Sequence, residues 1–152
     1  MTKAQAFLQQ FMIHRGVLPD LFGALKDEDL TFCPWDGAMS TADLAGHILS
    51  SGQAFGNLAA TGKYEPSAEK PKLNTIDDLQ KACREYTAEL KDTINAISDE
   101  QFDTTVTMFG REVSAGTVLE TMRAHEIHHK GQLFVYARLC GAQKVPMFIK
   151  LG

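Results

Sequence analysis

The sequence predicts an all-α four-helix bundle, with a short irregular or hairpin segment before the last helix. Apolar residues recur every three or four positions in four long segments, and strict alternation is scarce, so the dominant period is helical. The chain has 152 residues, 44% of them hydrophobic and 22% charged, which suits one domain, residues 1–152, burying roughly 70% of its unfolded surface.

The first helical segment runs from about Lys3 to Leu25, with Phe7, Phe11, Leu18, Leu21, Phe22 and Leu25 on its inner side. Glycine and proline between Gly16 and Pro19 predict a kink or break there. Polar Lys26 to Asp29 mark its end, and Pro34-Trp35-Asp36-Gly37 reads as a turn. Ser40 followed by Asp43 predicts a capping box opening a second helix to about Ala60, whose shared face carries Leu44, His47, Ser51, Ala54 and Leu58. The stretch from Thr61 to Asn74, with Gly62, Pro66 and Pro71, has loop composition.

A third helix follows, in which Ile76, Leu79, Cys83, Tyr86, Leu90, Ile94 and Ile97 form an apolar face opposite Asp78, Lys81, Arg84, Glu89 and Lys91. Residues 98–116 are mixed, and Thr104 to Gly110 reads as a short strand or hairpin arm before Ser114 caps the fourth helix. That helix covers about Ala115 to Cys140 and stops at Gly141, after which a Pro146-containing tail is expected to pack back as irregular chain.

A formal net charge of −4 supplies no basic face for a phosphate backbone, so nucleic acid is not an expected partner. No apolar run is long enough to span a bilayer, and the start of the sequence lacks a secretory pattern, so no membrane partner and a cytoplasmic location are expected. Cys33, Cys83 and Cys140 form no CxxC pair and are taken as small buried hydrophobes.

The fourth helix carries the chemistry. Its inward stripe can be written Val118, Met122, His125, His129, Gln132, Tyr136 and Leu139, with two imidazoles where packing expects leucine. Residues four apart stack one turn above the other, so both rings can converge on one ion at ~2.0–2.1 Å. His47, on the inward stripe of the second helix, supplies a third ligand. A single inward histidine is more often a hydrogen-bonded core residue. Three uncharged core histidines, however, would demand partners for all their ring nitrogens in one apolar layer, at ~1–3 kcal/mol for each one missed. A shared cation satisfies three at once. His128, about 100° round the helix, reads as a surface residue or one supporting a ligand, and His14 as a partly exposed residue of the first helix.

Residues 125–129 also match HExxH, in which Glu126 would be the general base of a zinc peptidase. Residues 130–152 contain no His, Asp or Glu to complete such a site, and Glu126, rotated off the seam, is expected to be an exposed helical carboxylate.

His-x-x-His-His-Lys-Gly-Gln at 125–132 and Met39-Ser40-Thr41-Ala42-Asp43-Leu44-Ala45-Gly46-His47 resemble the fourth-helix and second-helix motifs of the DinB/YfiT-like family of metal-binding four-helix bundles. The resemblance covers nearly the whole chain and implies His47, His125 and His129 as metal ligands. Lys130 stands where the common form has arginine, which keeps the charge but loses planar bidentate bonding. The family includes S-transferases and isomerases using bacillithiol, mycothiol or glutathione, and its members are often homodimers. The resemblance thus implies a homodimer, with a low-molecular-weight thiol as co-substrate.

Three neutral imidazoles leave a divalent ion at least one open position, the arrangement of a catalytic site. The expected function is a metal-dependent S-transferase or hydrolase that turns a thiol or water on a small electrophilic molecule. The alternative is a non-catalytic, metal-stabilised dimeric bundle acting as a sensor or interaction module. Zn²⁺ is chosen over Ni²⁺. Gln132 is expected to hold a ligating histidine or orient the bound group, and Trp35 and Tyr136 either line a pocket mouth or simply pack.

Overall fold

Glycine and proline divide the first helical segment in two, as the sequence predicts. In the computed structural model, which describes residues 1–66 and 70–152, α1 (Lys3–Arg15) opens on a complete capping box between Thr2 and Gln5 and stops at Gly16. The short α2 (Leu18–Phe22) then starts with Pro19 in its first turn, where a missing N–H is harmless. A 3-10 turn, Asp27–Thr31, replaces the polar end of the segment. All six inner-side residues expected between Phe7 and Leu25 are buried.

α3 (Thr41–Thr61) is capped by the Ser40 hydroxyl, which accepts from the Asp43 N–H, and it ends at Gly62 in the left-handed region, φ 82°. α4 (Ile76–Asn95) opens on a capping box between Thr75 and Asp78 and buries Leu79, Cys83, Tyr86, Leu90 and Ile94. The mixed stretch resolves into a one-turn helix, α5 (Asp99–Phe102), and a hairpin of β1 (Thr105–Met108) with β2 (Arg111–Ser114), antiparallel with Val106 opposite Val113. Ser114 caps α6 (Ala115–Leu139) by accepting from the Thr117 N–H, and Gly141 at φ 99° follows its end. The tail returns to the bundle, where the Lys150 N–H donates to the carbonyl of Ile13 at 2.8 Å.

α3 and α6 run antiparallel through the centre. One apolar cluster joins the start of α3 (Leu44, Ile48) to the end of α6 (Leu133, Ala137), and a second joins Phe55 and Leu58 to Val118, Leu119 and Met122. Between the two clusters the chain places polar groups: Arg15, Ser51, Glu126, Lys130 and the histidines. The bundle is therefore two apolar halves joined across a polar layer, and that layer contains the site.

Two expectations are corrected. Leu139, written on the inward stripe, is 59% exposed, because the buried stripe of α6 runs through Met122, Glu126, Lys130, Leu133 and Ala137. Cys33 is exposed in the irregular chain before α3 and Cys140 half-buried, so only Cys83 behaves as a buried hydrophobe. Among the described residues, no helix is long and apolar enough to cross a membrane.

Candidate metal centre

His47 projects from α3 toward His125 and His129, which lie one turn apart on α6. The Nε2 atom of His125 is 3.2 Å from that of His47 and 3.1 Å from that of His129. One nitrogen from each of the three rings falls within 4.8 Å of the others. Ligands at ~2.0–2.1 Å from a tetrahedral zinc ion stand about 3.3 Å apart, so this spacing is that of a metal's coordination sphere. The cluster is also hard to satisfy by hydrogen bonds alone, since the central Nε2 faces two others and a neutral ring has one N–H to give.

The outer nitrogens are held. His129 donates from Nδ1 to Oε1 of Gln132 at 2.8 Å, which leaves its Nε2 as a bare lone pair facing inward. The Ser51 hydroxyl, one turn beyond His47, lies 3.2 Å from Nδ1 of that ring. Burial, reinforced by the neighbouring His129, His47 and His128, pulls His125 down to about 4, and burial with His129 also lowers His47. These rings are neutral at pH 7, the form in which imidazole binds a metal. The donor set thus fits a borderline divalent cation.

A cleft of about 380 Å³ opens on His47, lined also by Gly46, Ser50, Pro71 and Tyr86. A larger cavity of about 640 Å³, between α1, α4 and the C-terminal tail, is lined by Leu8, Met12, Lys91 and Lys150 and does not reach the histidines.

The residues next to the histidines behave differently from expectation. Glu126 is not an exposed carboxylate. It is 2% exposed and turned toward α1, where Arg15, itself 1% exposed, donates from Nε and Nη2 to its two oxygens at 2.8 and 2.6 Å. Arg15 also donates to the Thr87 hydroxyl, and Gly52 leaves room for the guanidinium, since a Cβ there would lie 2.9 Å from Nη2. With both oxygens engaged, Glu126 offers no general base, which removes the peptidase chemistry suggested by HExxH.

Lys130 is likewise buried, and its ammonium donates to the carbonyls of Phe148 at 2.6 Å and His14 at 3.4 Å. It ties the tail to α1. His14 is half-buried beside it, and His128 is exposed with its ring 4.7 Å from that of His129. Tyr136 packs instead of lining a mouth, with its hydroxyl donating to the Met39 carbonyl and its ring edge-on to Phe32, while Trp35 is 64% exposed in its turn. Sequence reasoning missed Ser51 as a ring partner, although its place four residues after His47 was a usable signal. It also missed Arg15, for which no local signal exists.

The family model for DinB matches residues 1–150. The chain belongs to the DinB family. As a DinB protein it is 30% identical over 151 residues to the uncharacterized protein YjoA of Bacillus subtilis, with 97% of each chain covered. The crystal structure of that DinB-like protein superposes with a TM-score of 0.84 over 95% of this chain and 98% of that one. A DinB-like protein from Bacillus cereus, 24% identical, gives 0.80 over 94% and 95%. The fold extends to a mycothiol-dependent maleylpyruvate isomerase, 17% identical, with a TM-score of 0.61 over 95% of this chain and 65% of that longer one. The helical-bundle expectation is therefore correct, and the DinB resemblance is a family relationship.

Proposed function

We propose that this DinB protein is a metal-dependent S-transferase or hydrolase for a small electrophilic molecule, using His47, His125 and His129 to hold zinc in preference to nickel. The observation that carries the reading is the convergence of three imidazoles on a common point at coordination spacing. A divalent ion held there would supply Lewis acidity that lowers the pKa of a thiol or water nucleophile toward neutrality.

The chain's own residues account for the rest. Gln132 and Ser51 aim two of the rings, and burial of His125 keeps it unprotonated. The cleft beside His47 brings open space to one of the three rings. In the transfer, the thiol gives its proton to solvent, its sulfur bonds to the electrophilic carbon, and the leaving group departs with the bonding pair. The fold shared with a mycothiol-dependent isomerase agrees with a thiol co-substrate at the level of fold alone.

The test uses protein purified without a histidine tag, loaded with zinc, and given a thiol and an alkyl or aryl halide. Turnover is expected to require zinc and to be abolished in His129→Ala with the helical circular dichroism retained. Equal turnover by metal-free protein would overturn the reading. A loaded protein with no turnover, whose folding collapses on chelation, would instead support a metal-stapled bundle. In the same preparation Gln132→Ala is expected to weaken zinc affinity by about 10–100-fold, since it frees the His129 ring to rotate. Competition with a chromogenic chelator measures this, and an unchanged affinity would remove Gln132 from the site.

A further inference from the structure

Next to the histidines stands an aromatic group that the metal chemistry does not use. Phe55 lies two turns beyond His47 on α3, and its ring centroid is 5.5 Å from that of His125. Tyr64, just after α3, meets Phe55 at 5.3 Å, and Phe109, at the tip of the β1–β2 hairpin, meets Phe55 at 6.0 Å and Tyr64 at 5.4 Å. Exposure rises outward from the cluster, with Phe55 at 3%, Tyr64 at 43% and Phe109 at 68%. The three rings meet edge to face at 79°, 79° and 67°, and with Phe55 covered, the ring surface open to a further flat group is that of Tyr64 and Phe109.

Neither outer ring is there by default. Phe109 has φ 51° and Gly110 φ 82°, so both central residues of the two-residue turn lie in the left-handed region. Such turns favour Asn-Gly, and a bulky side chain at the first of these positions is strained. A ring that remains 68% exposed recovers little of that strain through its own burial. Tyr64 is fixed from the core. Buried Gln53 donates from Nε2 to Thr93 Oγ1 and to Asn57 Oδ1, and Asn57 donates to the carbonyl of Glu65 at 2.7 Å. Three separate parts of the chain thus converge on one aromatic surface that begins at a ligand ring, and strain held at such a place points to function.

We propose that Tyr64 and Phe109, backed by the buried ring of Phe55, form the wall that binds the flat part of the substrate, so that the electrophile is an aromatic or conjugated ring compound in preference to a compact aliphatic one. The inference rests on the histidine cluster being a metal centre. It makes Tyr64 and Phe109 specificity-determining residues, and it explains why the hairpin tip carries phenylalanine where turn chemistry favours asparagine.

The test compares two metal-binding probes on zinc-loaded protein by calorimetric titration: acetohydroxamate, which has no ring, and benzohydroxamate, which has one. Contact with these two aromatic side chains is expected to make benzohydroxamate bind about tenfold tighter. Phe109→Asn and Tyr64→Ala are expected to bring that ratio to about twofold or less, and Phe109→Asn should also raise the melting temperature by relieving the turn. Equal affinity for the two probes in the unaltered protein would overturn the wall. So would a lowered melting temperature with an unchanged ratio in Phe109→Asn, the behaviour of a merely structural residue. Failure of the metal reading is separable, because acetohydroxamate would then not bind at all. In that event 2-naphthol, followed by nuclear Overhauser contacts in metal-free protein, decides the wall: contacts to Tyr64 and Phe109 rings that vanish in Phe109→Asn support it, and their absence overturns it.

Discussion

Glu126→Ala is expected to destabilise the protein by about 3–5 kcal/mol, because it removes one partner of a buried ion pair and leaves a charge with no counterion. In a chain of this size that corresponds to a fall of roughly 6–20 °C in melting temperature. The guanidinium of Arg15 is 1% exposed, hydrogen-bonded to both Glu126 oxygens, and backed by Gly52 and Thr87. Burial alone works against its charge, and the Glu126 carboxylate outweighs that, so its pKa is raised. The reciprocal substitution, Arg15→Met, differs in one respect. A lone buried carboxylate can take up a proton, whereas a lone guanidinium cannot shed one. The penalty for Arg15→Met should therefore shrink as the pH is lowered from 8 to 5, while that for Glu126→Ala should not shrink in step. Replacing both residues by methionine should recover most of the loss, since a packed apolar pair matches or exceeds a buried ion pair in net stability. Urea unfolding at the two pH values measures all of this. A Glu126→Ala midpoint close to that of the unaltered protein would mean that the pair carries no net strength.

That pair also marks where the sequence stops being legible. The break at Gly16 to Pro19, the Ser40 and Ser114 caps and the Gly141 stop were readable because each is enforced by local backbone chemistry. His125 and His129 were readable because their spacing is helical, and all three histidines because their chemistry is out of place on an apolar face. The centre of the buried stripe was not, because helical periodicity assigns charged residues to solvent. Glu126 and Lys130 violate that rule only by virtue of partners distant along the chain, Arg15 in one case and the carbonyls of His14 and Phe148 in the other. Charges at those positions pushed the expected stripe toward Leu139, about one position round the helix from the observed one. The aromatic surface was invisible for the same reason: Phe55, Tyr64 and Phe109 come together only once the hairpin folds back on α3.

Zinc is expected to produce the other large effect. A ligand that binds only the folded state, present at 1,000 times its dissociation constant, stabilises by about 4.1 kcal/mol, which here corresponds to a rise of roughly 8–16 °C. A chelator should reverse the rise, and His47→Ala, His125→Ala and His129→Ala should each largely abolish it, because two imidazoles remaining from three bind far more weakly. The pH dependence has a definite sign. His125 is held at about 4 in the folded protein against an ordinary value of 6.5, so between those values the unfolded chain binds more protons. Metal-free protein must therefore lose stability as the pH falls from about 6.5 toward 4. Protons compete with zinc only where the folded rings accept them, and burial has moved that point downward for His125 and His47. The zinc-induced rise should shrink as the pH is lowered and vanish on approach to pH 4, where His125 itself takes up a proton. Differential scanning fluorimetry from pH 4 to 8, with and without zinc, separates the two trends. If the rise survives undiminished in His125→Ala, the ion is bound elsewhere, and the convergence of the three rings has some other cause.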